Sequence, residues 1–139
     1  MKIKLIDFGY TYKPQRAHYN DAGADVYARI GGSFGKIRLW ANDSAKIPLG
    51  FGVEIPDGYM GLILPRSGLS SQGISCEASP IDSGYRGEVH AIMTNNTRTD
   101  YFVNDGDRIG QLVILPVVLA DFVSELGKDR GSGAFGSTV

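Results

Sequence analysis

The sequence predicts an all-β fold, a jelly-roll-like sandwich or barrel, on three observations. Apolar residues alternate with polar ones along short runs instead of recurring every third or fourth position. Turn residues break those runs at intervals of about 8–12 residues, the spacing of sandwiches and barrels. No run of about twelve residues keeps the apolar stripe of an amphipathic helix. The chain has 139 residues, enough for one domain with a sizeable core.

The elements follow in order. Ile3 and Leu5 alternate with lysines in a short first strand, and residues 25–30 form a second, closed by Gly31-Gly32. Residues 36–40 alternate basic and apolar side chains before an Asn42-Asp43-Ser44 turn. Two brief strands, 45–49 and 51–55, lead to the turn Pro56-Asp57-Gly58. Residues 59–64 are continuously apolar, which predicts burial on both faces. Residues 86–94 alternate again, with Val89, Ala91 and Met93 on one face and His90, Ile92 and Thr94 on the other. A short strand at 101–103 precedes two apolar strands, 108–115 and 117–123, separated by Pro116. Between 82 and 86 there is room for one helical turn at most. Composition shifts at Gly127. We therefore divide the chain into a β domain, 1–126, and a C-terminal arm, 127–139, whose four glycines and single aromatic predict mobility until something orders it.

Charge and cysteine content exclude several classes. A net charge of −1 gives no basic field for a nucleic acid polymer or an anionic membrane. The lone Cys76 rules out an internal disulfide framework and a cysteine-based zinc site, and reads as packing. The first residues lack the apolar core of a signal peptide, and no apolar run nears the roughly 18 residues that span a bilayer. A soluble, cytoplasmic protein is expected.

Several groups carry chemistry. Ile81-Asp82-Ser83-Gly84-Tyr85 sets a carboxylate and an aromatic ring around a glycine turn. It is either an ordinary turn, or a general base (Asp82) beside a substrate wall (Tyr85). Pro65-Arg66-Ser67-Gly68 is either a plain strand-to-loop turn or an anion site of guanidinium, hydroxyl and unobstructed amide. Asp25 is a surface turn residue or faces a hydrated cation. Gln111, within an apolar strand, is a satisfied sheet residue or a substrate contact. Arg130, with the amides of Gly131, Gly136, Ser137 and Thr138, offers a second anion site, and Phe135 calls for a stacking partner. The phosphate-loop pattern fails there, because Ser137 stands where the lysine belongs. His18 and His90 read as structural, and Trp40 as core or subunit contact.

Taken together, five segments resemble the five motifs of the trimeric dUTP pyrophosphatases (dUTPases). They are Ala22-Gly23-Ala24-Asp25-Val26, Pro65-Arg66-Ser67-Gly68-Leu69-Ser70, Ile81-Asp82-Ser83-Gly84-Tyr85-Arg86-Gly87, Gly106-Asp107-Arg108-Ile109-Gly110-Gln111-Leu112, and the tail from Arg130 to Thr138. The resemblance implies a jelly-roll-like homotrimer with shared active sites that cleaves dUTP to dUMP and pyrophosphate with Mg2+. By position, Asp82 would activate the water that attacks the α-phosphate, and Tyr85 would exclude a 2′-hydroxyl. Arg66, Ser67, Gly68 and Gln111 would hold phosphates, and Asp25 would meet Mg2+ through water. Backbone groups around Ser79 and Ile81 would read uracil. Arg130 would clamp the γ-phosphate, and Phe135, Gly136 and Ser137 would cover the substrate. Three positions depart from the family pattern: Ala24, Ala134 and Ser79-Pro80, where proline removes an amide donor beside the expected base-reading contacts. Two other functions share parts of this pattern, a dCTP deaminase-like enzyme of the same fold and a non-catalytic, nucleotide-responsive regulator.

Overall fold

The computed structural model describes residues 1–125, which form eleven strands and one short helix. The strands are β1 (Lys4–Asp7), β2 (Ala24–Tyr27), β3 (Lys36–Leu39), β4 (Ser44–Pro48), β5 (Phe51–Glu54), β6 (Tyr59–Leu64), β7 (Ile74–Cys76), β8 (Ser79–Ile81), β9 (His90–Asn95), β10 (Tyr101–Asn104) and β11 (Arg108–Pro116); α1 is Ser67–Ser71. Every named pairing is antiparallel. A four-stranded sheet, β2-β11-β6-β8, and a three-stranded sheet, β4-β9-β7, are joined by the ribbons β1-β5 and β3-β10. No helix among the described residues is long and apolar enough to cross a membrane.

The alternation read from the sequence is the alternation that packs. On β9, Ala91 and Met93 are buried and His90, Ile92 and Thr94 are not. Ile47 of β4 and Ile74 of β7 join them in one core with Val26, Ile63 and Leu112 from the four-stranded sheet and Phe51 and Val53 from β5. A side chain as fully enclosed as Ile47, Phe51 or Met93 contributes about 1.5–3 kcal/mol through burial. The Cys76 thiol lies in this core and is pushed up to about 11, mainly by burial, so it stays a neutral packing group.

Four expectations need correction. Residues 59–64 are not buried on both faces: Gly61 and Ile63 are buried while Tyr59, Met60, Leu62 and Leu64 are half-buried, because only one face of β6 meets the core. Residues 117–123 form no strand. Val117 donates its amide to Gly58 O at 2.9 Å, and beyond it Val118, Leu119 and Phe122 are 91%, 77% and 96% exposed, with no strand among the described residues beside them. Of the two places expected for Trp40, core or subunit contact, the core is excluded: it is half-exposed, with the Arg38 guanidinium 3.5 Å from its ring centre. The strand expected from 86 begins only at His90, since the Gly84 and Gly87 region is given to a turn. The helix α1 and the three-residue strands β7 and β8 lie in a stretch without clear periodicity.

One buried polar side chain ties three segments together. Asn95, fully enclosed, donates to Leu39 O (3.0 Å) and Thr99 O (2.8 Å) and accepts from the Thr97 amide (3.0 Å) and hydroxyl (2.7 Å). All its hydrogen-bonding capacity is used. Asn95→Ala is expected to cost roughly 2–4 kcal/mol, because the Leu39 carbonyl and the Thr97 amide lose their side-chain partner. Urea unfolding should show a lower midpoint with an unchanged slope.

Near it, Asp100 accepts from Arg38 Nε at 2.9 Å and from the Ala41 amide at 3.0 Å. Those bonds, the guanidinium's first, hold its carboxyl below the usual range. The pKa is depressed on folding, so the stabilisation is present above the unfolded value and is lost as pH falls through the folded one. Asp100→Asn should therefore flatten the acid limb of a stability-against-pH curve and leave its neutral region similarly shaped.

Candidate active site

The predicted site residues gather in two places. The first is at the end of β8. Ile81 is buried and anchors the strand, so the next residue, Asp82, emerges exposed at its end. Tyr85 N donates to Asp82 O at 3.1 Å, closing a four-residue turn instead of a helix. The turn is braced from outside. Ser83 Oγ donates to Asp57 at 3.1 Å, and Arg86 donates to Ser83 O and Tyr85 O at 2.6 and 3.2 Å. The Tyr85 ring, 45% exposed, folds back so that its hydroxyl donates to Glu88 O at 2.8 Å. Gly87 permits this. A methyl there would stand 2.6 Å from Tyr85 Cζ and 3.0 Å from Cε1. Ser79, Pro80, Asp82 and Tyr85, with Lys46 and His90 across from them, line a pocket of about 210 Å³.

The second place is the middle of the four-stranded sheet. Gln111 sits opposite Asp25 on one side and Leu64 on the other, and its Nε2 donates to Pro65 O at 3.4 Å. Gly23 lies against it, where a Cβ would come within 2.9 Å of Gln111 Cβ. Arg66 NH1 donates to Arg108 O at 3.2 Å, and Arg108 NH1 stands 3.5 Å from the half-buried Asp25 carboxylate. Ser67 and Gly68 open α1 on the surface, and nothing lies within 4 Å of where a Gly68 side chain would be. Asp25, Arg66, Ser67, Gly68 and Gln111 line none of the Asp82 pocket. Arg130, Phe135, Gly136 and Ser137 lie outside the described residues.

The dUTPase family model matches residues 10–139. The chain belongs to the dUTPase family. It is 41% identical to the deoxyuridine 5′-triphosphate nucleotidohydrolase of Tropheryma whipplei strain Twist, over 96% of this chain and 92% of that one. It is 37% identical to the enzyme of the same name from Paramecium bursaria Chlorella virus 1, over 97% and 94%. Among solved structures, a Staphylococcus bacteriophage 80alpha dUTPase variant with dUpNHpp superposes with a TM-score of 0.84 at 26% identity, covering 99% of each chain. A dUTPase variant from phage phi11 of S. aureus, whose structure shows coordination of a structural Mg(II) ion, superposes with a TM-score of 0.80 at 26% identity, over 90% of this chain and 98% of that one.

The structure draws in residues to which the sequence reading gave no role of their own. Glu88 is one: its carboxylate accepts from the Gly50 amide at 2.9 Å while its carbonyl receives Tyr85. Arg108 is another, as the link between Arg66 and Asp25. Lys46 and His90 are on the pocket wall. Their signal in sequence was only that both point away from the core face. His18 is exposed, with Nδ1 3.3 Å from Asp21.

Among the described residues of this chain no three of His, Cys, Asp or Glu come together. Asp25, half-buried beside the Arg108 guanidinium, fits a Mg2+ ion that keeps its waters and arrives on phosphates.

The Gly87 contact yields a direct test. Gly87→Ala should cost roughly 1–3 kcal/mol by crowding the Tyr85 ring. That penalty should largely vanish in a Tyr85→Ala background, measured as a double-mutant cycle in urea.

Proposed function

We propose that this dUTPase-family chain hydrolyses dUTP to dUMP and pyrophosphate, with Asp82 as the base. The observation that carries the reading is the exposed Asp82 at the rigid end of β8, with the folded-back Tyr85 ring beside it. Asp82 takes a proton from water while the water oxygen attacks the α-phosphorus; the bond to the bridging oxygen breaks and the electron pair leaves on pyrophosphate. An aspartate held beside its water contributes by orientation as well as by proton transfer. The Tyr85 ring fills the space under the sugar, so a 2′-hydroxyl has no place. Arg66, Ser67 and the Gly68 amide hold the phosphates, with Gln111 supporting them from β11 through Pro65 O. A Mg2+ held by Asp25 through water would neutralise charge along the phosphate chain.

The two-part arrangement supports a homotrimer in which the Asp82 pocket of one subunit meets the Arg66 and Gln111 group of another. In this reading segment 127–139 of the cytoplasmic enzyme completes the site, Arg130 on the γ-phosphate and Phe135, Gly136 and Ser137 over the substrate.

Pyrophosphate release should be fast with dUTP and slow with dTTP, dCTP and UTP side by side. Asp82→Asn should lose roughly a thousandfold in kcat while still binding dUTP. Release that ignored base and sugar would overturn the substrate, and a wild-type rate in Asp82→Asn would overturn the base. Ammonia from dCTP would favour the deaminase, and nucleotide binding without turnover the regulator.

A further inference from the structure

We propose that Lys46 and His90 read the edge of the pyrimidine in the Asp82 pocket with their side chains. This rests on the dUTP reading above and deepens it.

The need comes from Pro80. Strand β8 is the outer strand of its sheet, with β6 on one side and the pocket on the other. Proline has no amide hydrogen, so it fits a strand only where its nitrogen faces away from the ladder. The free edge of β8 therefore presents one donor fewer to the pocket at Pro80. A base carbonyl there must find its hydrogen bond elsewhere.

The opposite wall supplies the chemistry. In the β4-β9 ladder Lys46 faces Ile92 and Pro48 faces His90. Residues directly opposite share a face, so Lys46 and His90 leave the same side of the sheet as diagonal neighbours. The other side carries Ile47, Ala91 and Met93 into the core. Diagonal neighbours in such a ladder lie about 7–8 Å apart, a gap that a lysine and an imidazole close between them. Both line the pocket.

With the imidazole neutral, their hydrogen-bonding characters are opposite. Lys46 can only donate. His90 Nδ1 lies 3.1 Å from Glu88 O, and a carbonyl can only accept, so Nδ1 carries the proton. In the neutral ring Nε2 is then an acceptor, and it has no partner among the described residues. The carbonyl that sets this tautomer is the one that holds the Tyr85 hydroxyl. A donor beside an acceptor matches a carbonyl next to an imide N–H, the edge of uracil. Cytosine presents an amine and a bare ring nitrogen instead, so both contacts would turn into like-against-like pairs, a mismatch that polar sites reject strongly. Thymine has the same edge as uracil and is not discriminated by these two residues.

The test is pyrophosphate release by Lys46→Met and His90→Leu with dUTP, dTTP and dCTP, alongside Lys46→Arg and His90→Gln, which keep the donor and the acceptor. We expect KM for dUTP to rise about tenfold or more in the first pair, kcat to stay within about twofold, and the preference for dUTP over dCTP to fall about tenfold. The conservative pair should recover most of it. An unchanged dUTP-to-dCTP ratio overturns the proposal, whether neither nucleotide weakens or both weaken together, as they would if Lys46 served only the phosphates. Calorimetric binding of dUMP against dCMP to the same variants reads the edge contacts without hydrolysis. A wild type that fails to turn over dUTP but binds dUMP in preference, with that preference lost in the variants, removes the hydrolytic reading alone.

Discussion

The register of β11 is the constraint on which the arrangement of the site depends. This nine-residue strand lies between β2 and β6, so its pairing sets Gln111 opposite Asp25 on one flank and Leu64 on the other. The end of β6 then delivers Pro65 and Arg66, and the far side of β6 holds β8, whose end carries Asp82. A slip of one residue would turn Gln111 to the opposite face and put Leu112 in its place. The apolar residues that forbid the slip, Ile109 and Leu112 against Val26 and Ile63, are in the core. Packing thus holds polar groups in place that contribute little packing themselves.

Much of this was legible beforehand where a physical pattern was strong. The alternation around His90 and Met93 gave the correct faces of β9, and the motif residues of β2, β6 and β11 converge because their strands are neighbours. Other parts carried no local signal. β7 and β8 have three residues each, too few for a period to declare itself. Trp40 is a large apolar residue at the surface because Arg38 covers its face, a cation-π contact invisible to hydropathy. The apolar run after Pro116 reads as a strand, yet a strand exists only where a ladder partner exists, and none of the described residues provides one there. Lys46 and His90 could not be paired in advance, since their meeting depends on the β4-β9 register and not on spacing in sequence.

Small side chains and backbone groups do much of the shaping. Gly87 and Gly23 matter for what they leave empty, the space taken by the Tyr85 ring and the Gln111 amide. Glu88 works through both its ends, carboxylate to Gly50 and carbonyl to Tyr85 and His90, so one residue couples the β4-β5 turn to both sides of the pocket. A ring held by a backbone carbonyl is positioned by the sheet itself and loses little freedom when a ligand arrives.

Pro80 has a second consequence, for solubility. A free strand edge is a row of unpaired amides and carbonyls, and it invites another chain to add itself as the next strand. β8 is such an edge beside an open groove, and a permanent loop over it would close that groove to the proposed substrate. A proline in the middle of a three-residue edge strand interrupts the donor row where a templated strand would have to register. The residue that takes a donor from the pocket also keeps that pocket's rim from seeding aggregation.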